Sequence, residues 1–267
     1  MQLTTHDDLV RNQLSNPPLG SLRTAAAGTP VRVGISGSGS DLLVLAWSAR
    51  DLERERSAGV RLLTQLGLGK GIRVANALPG ALTTPGSLLL GDVVQDLGAL
   101  DVPLGVVDSP VAAKQAWTLI DLVEPAAIVL DTPSALQLFG SAPACRRPWW
   151  QGIIWLRVNG EGGGAPAVPE AAGFSGWQRT WLAVPDVTSF LAMSCAAERF
   201  HIDARTTVEV VDEVTGKRIA DGRVGELAVT ALDMETNVAA YRSGIRGCLN
   251  DDACPCGAPG ATFIAVW

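Results

Sequence analysis

Blocks of apolar and polar residues follow one another along the chain in an order that predicts strands and helices in turn. Six segments are predicted to be strands, at residues 31–35, 42–47, 73–77, 104–107, 127–130 and 152–158, and the continuous apolar run 127–130 is typical of a parallel strand buried on both faces. One intervening segment carries apolar residues at helical spacing, namely Ala113, Ala116, Trp117, Ile120 and Val123. This succession predicts an α/β fold with a mostly parallel sheet layered with helices.

Capping residues indicate where the predicted helices begin. Ser48 precedes a helical pattern over 49–66, where its hydroxyl can accept a hydrogen bond from the first turn. Thr84 and Pro85 are suited to the cap and the first position of a helix that ends near residue 97. Asp131 stands at the end of the apolar run 127–130 and begins a further helix.

Changes in amino-acid composition along the sequence divide the chain into three parts. Residues 1–28 contain few apolar side chains and are predicted to form an N-terminal arm. Residues 29–180 form the α/β lobe, whose segment 160–173 is rich in glycine, alanine and proline and is predicted to be a mobile surface loop. Residues 181–267 form a second lobe that ends in a smaller β-rich subdomain, with strands predicted at 206–211, 226–230 and 262–266.

Composition and charge narrow the classes of protein that fit. Of the 267 residues, 47% are hydrophobic and 18% charged, which is typical of a folded globular protein. The net charge is −6 and no basic run occurs, so electrostatic capture of nucleic acid or of an anionic membrane is not expected. The acidic N-terminal residues 1–8 do not resemble a signal peptide, and we expect a cytoplasmic protein.

A run of five small residues separates the first two predicted strands: Ser36, Gly37, Ser38, Gly39 and Ser40. Glycines permit positive φ angles and leave amide groups free to face an anion, so such a loop suits the approach of a phosphate. Glycine–serine loops are also common connectors, and the run alone does not decide between the two interpretations. No Gly-x-Ser-x-Gly elbow with an acid and base that would activate a nucleophilic serine can be assembled from this segment.

The five cysteines are too few for a disulfide framework and odd in number, so they are expected to be reduced thiols or metal ligands. Cys195 and His201 form one closely spaced pair, and Cys254 and Cys256 form another. Together they supply the four ligands of a tetrahedral site, which predicts a closed structural zinc centre. Cys248 is an alternative ligand, Cys145 is expected in the core, and a group of buried thiols without metal is the competing interpretation.

Several segments resemble, in matching order, the phenylacetate-CoA ligase family of adenylate-forming enzymes. They read ISGSGS, RVANALPGALTTPGSLLLGDVVQDLGA, VLDTPSAL, VEVVDEVTGKRIADGRVGELAVTAL, YRSG and CPCG, and they span residues 30–267. The resemblance implies the large N-terminal domain of these enzymes. It also implies their chemistry, in which a carboxylate attacks ATP, pyrophosphate leaves, and coenzyme A takes the acyl group as a thioester. It further implies zinc at Cys and His positions that correspond to those of some family members.

Three departures from the family pattern predict that ATP adenylation is weakened or lost. Asp41 and Leu42 follow the small-residue loop where the family has a lysine shortly afterwards. Ile245 stands where the family places the aspartate that binds the ribose hydroxyls. The sequence ends at Trp267, whereas the family continues into a small C-terminal domain that carries a lysine for adenylation. We therefore expect a divergent, truncated relative, in which binding of ATP with Mg²⁺ is doubtful.

The resemblance also suggests residues for a nucleotide or acyl pocket. Asp186 corresponds by position to the family's magnesium-binding glutamate, although a solvated surface carboxylate is the simpler interpretation. The other candidates are Trp47, Leu78, Pro79, Thr83, Thr84, Pro133, Trp181, Tyr241 and Arg242. No catalytic residue is assigned, because His201 is predicted to be a ligand and His6, the other histidine, lies in the arm.

Three functional hypotheses remain open at this point. The chain is a ligase that relies on another chain for the missing domain, or an enzyme that kept a pocket for an acyl or aryl acid or its CoA thioester, or a non-catalytic partner subunit. The second hypothesis, an acyl-transfer or ligation step in specialised biosynthesis, is the one that the departures favour. A homo-oligomer is expected.

Overall fold

The computed structural model describes residues 3–22, 28–80, 85–159, 168, 172–220, 222–236, 238–250 and 252–267. Its helices are α1 (His6–Ser15), α2 (Ala49–Thr64), α3 (Ser87–Asp96), α4 (Pro110–Val123) and α5 (Thr132–Gly140). Its strands are β1 (Arg32–Ser36), β2 (Leu43–Trp47), β3 (Arg73–Asn76), β4 (Leu100–Pro103), β5 (Ala127–Leu130), β6 (Gly152–Val158), β7 (Trp177–Val184), β8 (Thr188–Ser194), β9 (Phe200–Ile202), β10 (Thr206–Val211), β11 (Gly225–Ala231), β12 (Tyr241–Asn250) and β13 (Thr262–Ala265).

The helix starts follow the capping chemistry of the sequence. The Ser48 hydroxyl accepts a hydrogen bond from the Asp51 amide, and the Asp51 carboxylate accepts one from the Ser48 amide, which confirms the predicted start of α2. Asp131 caps α5 through the amide of Ser134, as predicted. The predicted start of α3 is wrong by two residues: Gly86 is the N-cap, and Thr83 and Thr84 lie outside the described residues.

Eleven of the described strands form one mixed sheet in the order β10-β11-β12-β13-β9-β8-β7-β6-β5-β3-β4. Only β4, β3, β5, β6 and β7 are parallel, and each later neighbour pairs antiparallel. The predicted α/β fold, a parallel sheet followed by a β-rich part, is therefore confirmed, and the C-terminal strands extend the same sheet as antiparallel neighbours. Those strands follow one another without helical crossovers, and short connections produce antiparallel pairs. The boundary predicted at 180/181 falls inside β7, which continues the sheet.

Two other predictions need correction at the level of strands. The runs 31–35 and 42–47 are strands, but they pair with each other as an antiparallel hairpin, β1–β2, outside the large sheet. The strand predicted at 104–107 is wrong, because β4 instead covers Leu100–Pro103. This edge strand contains the polar Asp101, whose carboxylate accepts a hydrogen bond from Asn76 on β3.

Helices cover both faces of the parallel strands. On one face, Leu62 of α2 and Val93 of α3 pack in a cluster with Trp181 and Phe190, whose rings stack with centroids 4.5 Å apart. On the other face, α4 and α5 cover a second cluster that contains Trp117. Each cluster consists mainly of buried side chains, which provides the apolar burial that stabilises a domain of this size.

The predicted N-terminal arm contains a packed helix. Thr5 and Asp8 form a capping box at the start of α1, and Leu9 is buried in a third cluster with Leu43 of β2 and Val238. The segment 160–173, predicted to be a mobile loop, lies outside the described residues apart from 168 and 172–173. Among the described helices, none is both long and apolar enough to cross a lipid bilayer.

Candidate ligand cleft and metal centre

A cleft of about 430 Å³ opens at the carboxyl ends of the parallel strands. Pro79 follows β3, Asp131 and Pro133 follow β5, Asn159 follows β6, and Pro185 follows β7. In open α/β sheets this edge is the usual place for ligands, because loops from several strands converge there without interrupting the sheet. The loops that follow these parallel strands therefore form a candidate binding site.

The lining of this cleft is mainly apolar. The contributing residues are Ile35, Ser36, Gly37, Ser38, Pro79, Pro85, Asp131, Pro133, Leu156, Val158, Asn159 and Pro185. Asp131 is the charged residue among them, and no lysine or arginine lines the described part of the cleft. The bordering segments 81–84 and 160–167 lie outside the described residues, and their sequences contain no lysine, arginine or histidine either.

The β1–β2 hairpin places its small-residue loop over this cleft. The strands pair from Arg32 with Trp47 to Ser36 with Leu43, so residues 37–42 form the turn. Gly37 has a φ of 74°, and a side chain there would bring its Cβ to 2.2 Å from the carbonyl oxygen of Asp41. The glycine is thus required both by its backbone angle and by the close approach of the returning chain. The loop folds back on itself at this point.

Asp186, in the turn between β7 and β8, is the centre of a buried hydrogen-bond network. Its carboxylate accepts from the Ser36 hydroxyl at 2.5 Å, from the Tyr241 hydroxyl at 2.6 Å and from His6 Nδ1 at 2.6 Å. Its side chain is fully buried. The interpretation of Asp186 as a solvated surface carboxylate is therefore wrong. The network joins the hairpin loop, the β7–β8 turn, β12 and α1.

The geometry assigns the protons in this network. His6 Nε2 lies 2.6 Å from the carbonyl oxygen of Asp41, which can only accept, so both ring nitrogens face acceptors and the imidazolium form fits best. Burial lowers the pKa of His6, but the Asp41 carbonyl and the Asp186 carboxylate outweigh it and raise that pKa above its usual value. Burial and the Asp186 charge raise the pKa of Tyr241 strongly, so its hydroxyl stays protonated.

Several predicted pocket residues lie away from the cleft. Trp181 is fully buried in the core, where its indole nitrogen donates to the carbonyl of Ser189. Leu78 is also buried in that core. Large apolar side chains are most often core residues, whereas these two were predicted to line the pocket from the family resemblance alone. Trp47 lines a separate narrow cavity beneath α1.

The YRSG segment has split roles. Tyr241 reaches the Asp186 network through its hydroxyl, whereas the Arg242 guanidinium pairs with the carboxylate of Glu226 on β11. Arg242 therefore does not line the cleft, contrary to the prediction. Ile245, which directly follows this segment, is completely buried among apolar side chains of the antiparallel half of the sheet. The apolar surroundings at this position therefore suit the isoleucine side chain.

The predicted metal ligands come together. Atoms of Cys195, His201, Cys254 and Cys256 that can bind a metal all lie within 4.8 Å of one another. The sulfurs of Cys195 and Cys254 are 3.5 Å apart, and His201 Nε2 is 3.2 Å from the Cys256 sulfur. Zinc–sulfur bonds of about 2.3 Å separate tetrahedral ligands by about 3.8 Å, so the observed spacing is close to that of a zinc site.

The surroundings of the cluster fit the chemistry of a metal centre. Burial lowers the pKa of His201, which favours the neutral imidazole that a metal requires. Cys195 follows directly after β8, His201 lies on β9, and the other two cysteines lie in the turn before β13, so the cluster ties that turn to the sheet. Cys248 is not part of the cluster. Cys145 is exposed, and its expected place in the core is wrong.

No protein-family model and no curated protein matches this sequence. Solved structures do match it. The structure of an open conformation of 2-hydroxyisobutyryl-CoA ligase, in complex with 2-HIB-AMP and CoA, has a TM-score of 0.84 and 18% identity over 98% of this chain and 62% of that chain. The N-terminal domain of FACL13 from Mycobacterium tuberculosis, with bound inhibitor, has a TM-score of 0.62 and 12% identity over 91% of this chain and 62% of that chain.

This chain has the fold of the N-terminal domain of adenylate-forming enzymes. A long-chain-fatty-acid-CoA ligase, FadD1 from Archaeoglobus fulgidus, matches with a TM-score of 0.63 and 9% identity over 88% of this chain and 50% of that chain. The chain spans between 56% and 62% of the length of the 2-hydroxyisobutyryl-CoA ligase structures that it matches. The resemblance stated from the sequence motifs is thereby confirmed at the level of the fold.

One residue of the buried Asp186 network was not anticipated from the sequence. The sequence predicts that His6 lies in an arm, whereas its Nδ1 lies 2.6 Å from the carboxylate of Asp186. A usable signal was present: Thr5 and Asp8 form a capping pattern, which predicts a short helix and hence an ordered position for His6. What no local signal supplies is the packing of that helix against the hairpin loop.

Proposed function

We propose that this protein binds an acyl or aryl group in the cleft at the carboxyl edge of its parallel strands, with ATP adenylation weakened or lost. The ligand class is an acyl or aryl carboxylic acid or its CoA thioester. The reaction class is acyl transfer or ligation within a specialised biosynthetic step. The observation that carries this proposal is the mainly apolar lining of the cleft, whose described part contains no lysine or arginine and which lies where open α/β sheets bind their ligands.

The lining supports an apolar ligand with a few polar groups. Pro79, Pro133 and Pro185 offer rigid apolar surface without an amide donor of their own. The side-chain oxygen of Asn159 is buried and has no hydrogen-bond partner among the described residues. A donor on the ligand would satisfy it, which is the pattern expected of a small-molecule site with sparse, directional polar contacts.

The same lining argues against a triphosphate. Clefts that hold nucleotide phosphates supply lysine or arginine side chains or a bound cation to balance the charge. Here Asp131 contributes negative charge, and the carboxylate of Asp186 is already neutralised by His6. The burial of Ile245 in an apolar cluster adds to this argument, because it offers no group that hydrogen-bonds to ribose hydroxyls.

The solved structures with this fold support an acyl ligand. 2-Hydroxyisobutyryl-CoA ligase has been crystallised with 2-HIB-AMP and with CoA, so in that protein the fold holds an acyl group together with nucleotide and thiol. Identity to that protein is 17–18%, so the transfer of an acyl ligand to this chain is part of the proposal.

We propose in addition that Cys195, His201, Cys254 and Cys256 hold a structural zinc ion. Three thiolates and one imidazole complete a tetrahedron and leave no open position, so zinc there stabilises the fold and takes no part in the reaction. The four ligand atoms, within 4.8 Å of one another, support this assignment.

Calorimetric titration of the purified protein tests the main proposal. The probes are ATP with Mg²⁺, a panel of aromatic and short aliphatic acids, and the CoA thioesters of those acids. We expect binding within the acid or thioester panel and none by ATP at concentrations that saturate active adenylating enzymes. Saturable ATP binding with ATP–pyrophosphate exchange would contradict the proposal and favour retained adenylation.

A matched pair of variants locates the binding site. Val158 ends β6 and lines the cleft, so Val158→Trp fills part of it, and at least a tenfold loss of affinity is expected. Val214 is 93% exposed in a turn, and Val214→Trp is the control for added aromatic surface. Equal affinity of the two variants for a ligand would place that ligand outside the cleft.

A further inference from the structure

Helix α1 is fastened to β12 and to the β1–β2 hairpin by contacts at three positions. Thr4, just before the helix, exchanges backbone hydrogen bonds with Ala240 and Arg242 at β12. Gln13, near the end of the helix, donates to the carbonyl of Val44 and accepts from its amide. Between them, His6 reaches the hairpin loop and the β7–β8 turn. The first and last contacts are neutral, and the middle one is the one that depends on a proton.

The groups that face His6 come from every element packed around it. Asp186 approaches from the β7–β8 turn and the Asp41 carbonyl from the hairpin loop, and each lies 2.6 Å from a ring nitrogen. Asp7 lies on the same helix and adds a favourable negative charge. The Tyr241 hydroxyl of β12 shares the Asp186 oxygen that His6 contacts, and it donates to that oxygen.

We propose that α1 is a proton-controlled strap: protonated His6 holds the helix against the hairpin loop and Asp186, and loss of that proton loosens the helix. A neutral imidazole has one donor and one acceptor. If Nε2 keeps donating to the Asp41 carbonyl, the Nδ1 lone pair faces the Asp186 carboxylate, which repels it. If Nδ1 keeps donating, the contact with the loop is lost. Either tautomer gives up one of the two bonds.

The direction of the pH effect follows from this chemistry. The pKa of His6 is raised in the folded protein, although burial alone would lower it. The stabilisation is therefore complete below the ordinary histidine pKa and is lost as pH rises through the raised value. The strap is fastened under mildly acidic conditions and loosened under mildly alkaline ones.

Loosening the strap acts on two cavities. A narrow apolar cavity of about 60 Å³ lies beneath α1, where Leu9 faces Leu43 and Trp47 of β2. The other is the ligand cleft, because Ser36 lines that cleft and donates to Asp186, whose neighbour Pro185 lines it as well. Movement of α1 is thus transmitted to the wall of the cleft through Ser36 and Pro185.

Nitrogen NMR of the histidine side chains tests the protonation state directly. The chain has two histidines, and His201→Asn or metal saturation separates their signals. We expect both His6 nitrogens to be protonated at neutral pH, with a titration midpoint above that of a model histidine, and we expect Asp186→Asn to lower that midpoint. A His6 midpoint at or below the model value would overturn the proposal.

Hydrogen exchange tests the strap itself. We expect protection factors of the α1 amides to fall roughly tenfold or more between mildly acidic and mildly alkaline pH in the wild type, as expected for loss of a charge-assisted hydrogen bond. Protection of α4 is the internal control. His6→Gln, which cannot titrate, should show low and pH-independent protection of α1, while Arg11→Gln, an exposed position on the same helix, should behave as wild type.

The two results are decisive in either direction. If α1 protection follows pH equally in the wild type and in His6→Gln, another group controls the helix and the proposal fails. If His6→Gln does not fold, the wild-type comparison of α1 with α4 and the His6 midpoint still decide the question. Neither measurement uses a cleft ligand, so the outcome is independent of the proposed function.

Discussion

Replacing Asp186 by asparagine removes the charge on which the buried network depends. The wild-type carboxylate accepts three hydrogen bonds, from Ser36, Tyr241 and His6, with its side chain fully buried. Asparagine keeps one acceptor oxygen and presents an NH₂ group to donors that need an acceptor. At least one of the three donors therefore loses its partner.

The magnitude follows from the burial of the partners. A buried donor without a partner costs about 1–3 kcal/mol, and breaking a buried ion pair costs about 3–5 kcal/mol. The His6 side chain is 24% exposed and can release its proton, which limits the second cost. We therefore expect Asp186→Asn to lower the free energy of unfolding by about 2–4 kcal/mol.

Chemical denaturation followed by tryptophan fluorescence measures this change at mildly acidic and mildly alkaline pH. Because the pKa of His6 is raised, wild-type stability should decline as pH rises through that pKa, and the decline should be absent or reversed in Asp186→Asn. Asp212→Asn, in an exposed turn, is the matched control. A loss below about 1 kcal/mol, or an unchanged pH dependence in the variant, would refute the assignment of a buried imidazolium–carboxylate pair.

Three further predictions concern the metal centre, the core and the hairpin loop. Chelation, or the substitution Cys254→Ser, should lower the melting temperature, and metal analysis should show the loss of one equivalent of zinc. Cys145→Ser should have neither effect, and a metal-free wild-type protein would contradict this prediction. Ile245→Asp should destabilise the fold by about 3 kcal/mol or more in denaturation experiments, since it buries an unpaired carboxylate, and ATP–pyrophosphate exchange by this variant would show the reasoning wrong. Gly37→Ala should destabilise the loop by about 1–3 kcal/mol and weaken cleft binding, and Gly39→Ala, with open space around its Cβ, should do so less; equal effects would rule out the contact with the Asp41 carbonyl.

Local sequence signals predict the parallel half of this fold well. Ser48 and Asp131 cap the helices that they were predicted to cap, and the run 127–130 is a buried strand, because each signal depends on a few neighbouring residues. The antiparallel half was read less completely. Strands β7, β8, β9 and β12 were not predicted. In β8, which is buried in all but its last residue, serine and threonine stand among the apolar residues and leave no alternation to detect.

The candidate sites divide along the same line. The four metal ligands were predictable because cysteine and histidine are rare in this chain and their spacing is restrictive. The Asp186 network was not predictable, because it joins residues 6, 36, 186 and 241, and only tertiary packing brings them together. A resemblance of motifs indicated which loops surround the cleft, but it did not indicate which side chains enter the core.

The central claim is that the cleft at the carboxyl edge of β3, β5, β6 and β7 holds an acyl or aryl group without ATP. Crystals of the protein grown separately with a binding acid or its CoA thioester and with ATP and Mg²⁺ test it most directly. We expect electron density for the acyl group between Ser36, Pro133 and Asn159 in the first crystals, and no ordered nucleotide in the second. Ordered ATP phosphates against the Ser36–Ser40 loop, or an acyl group bound elsewhere, would contradict it.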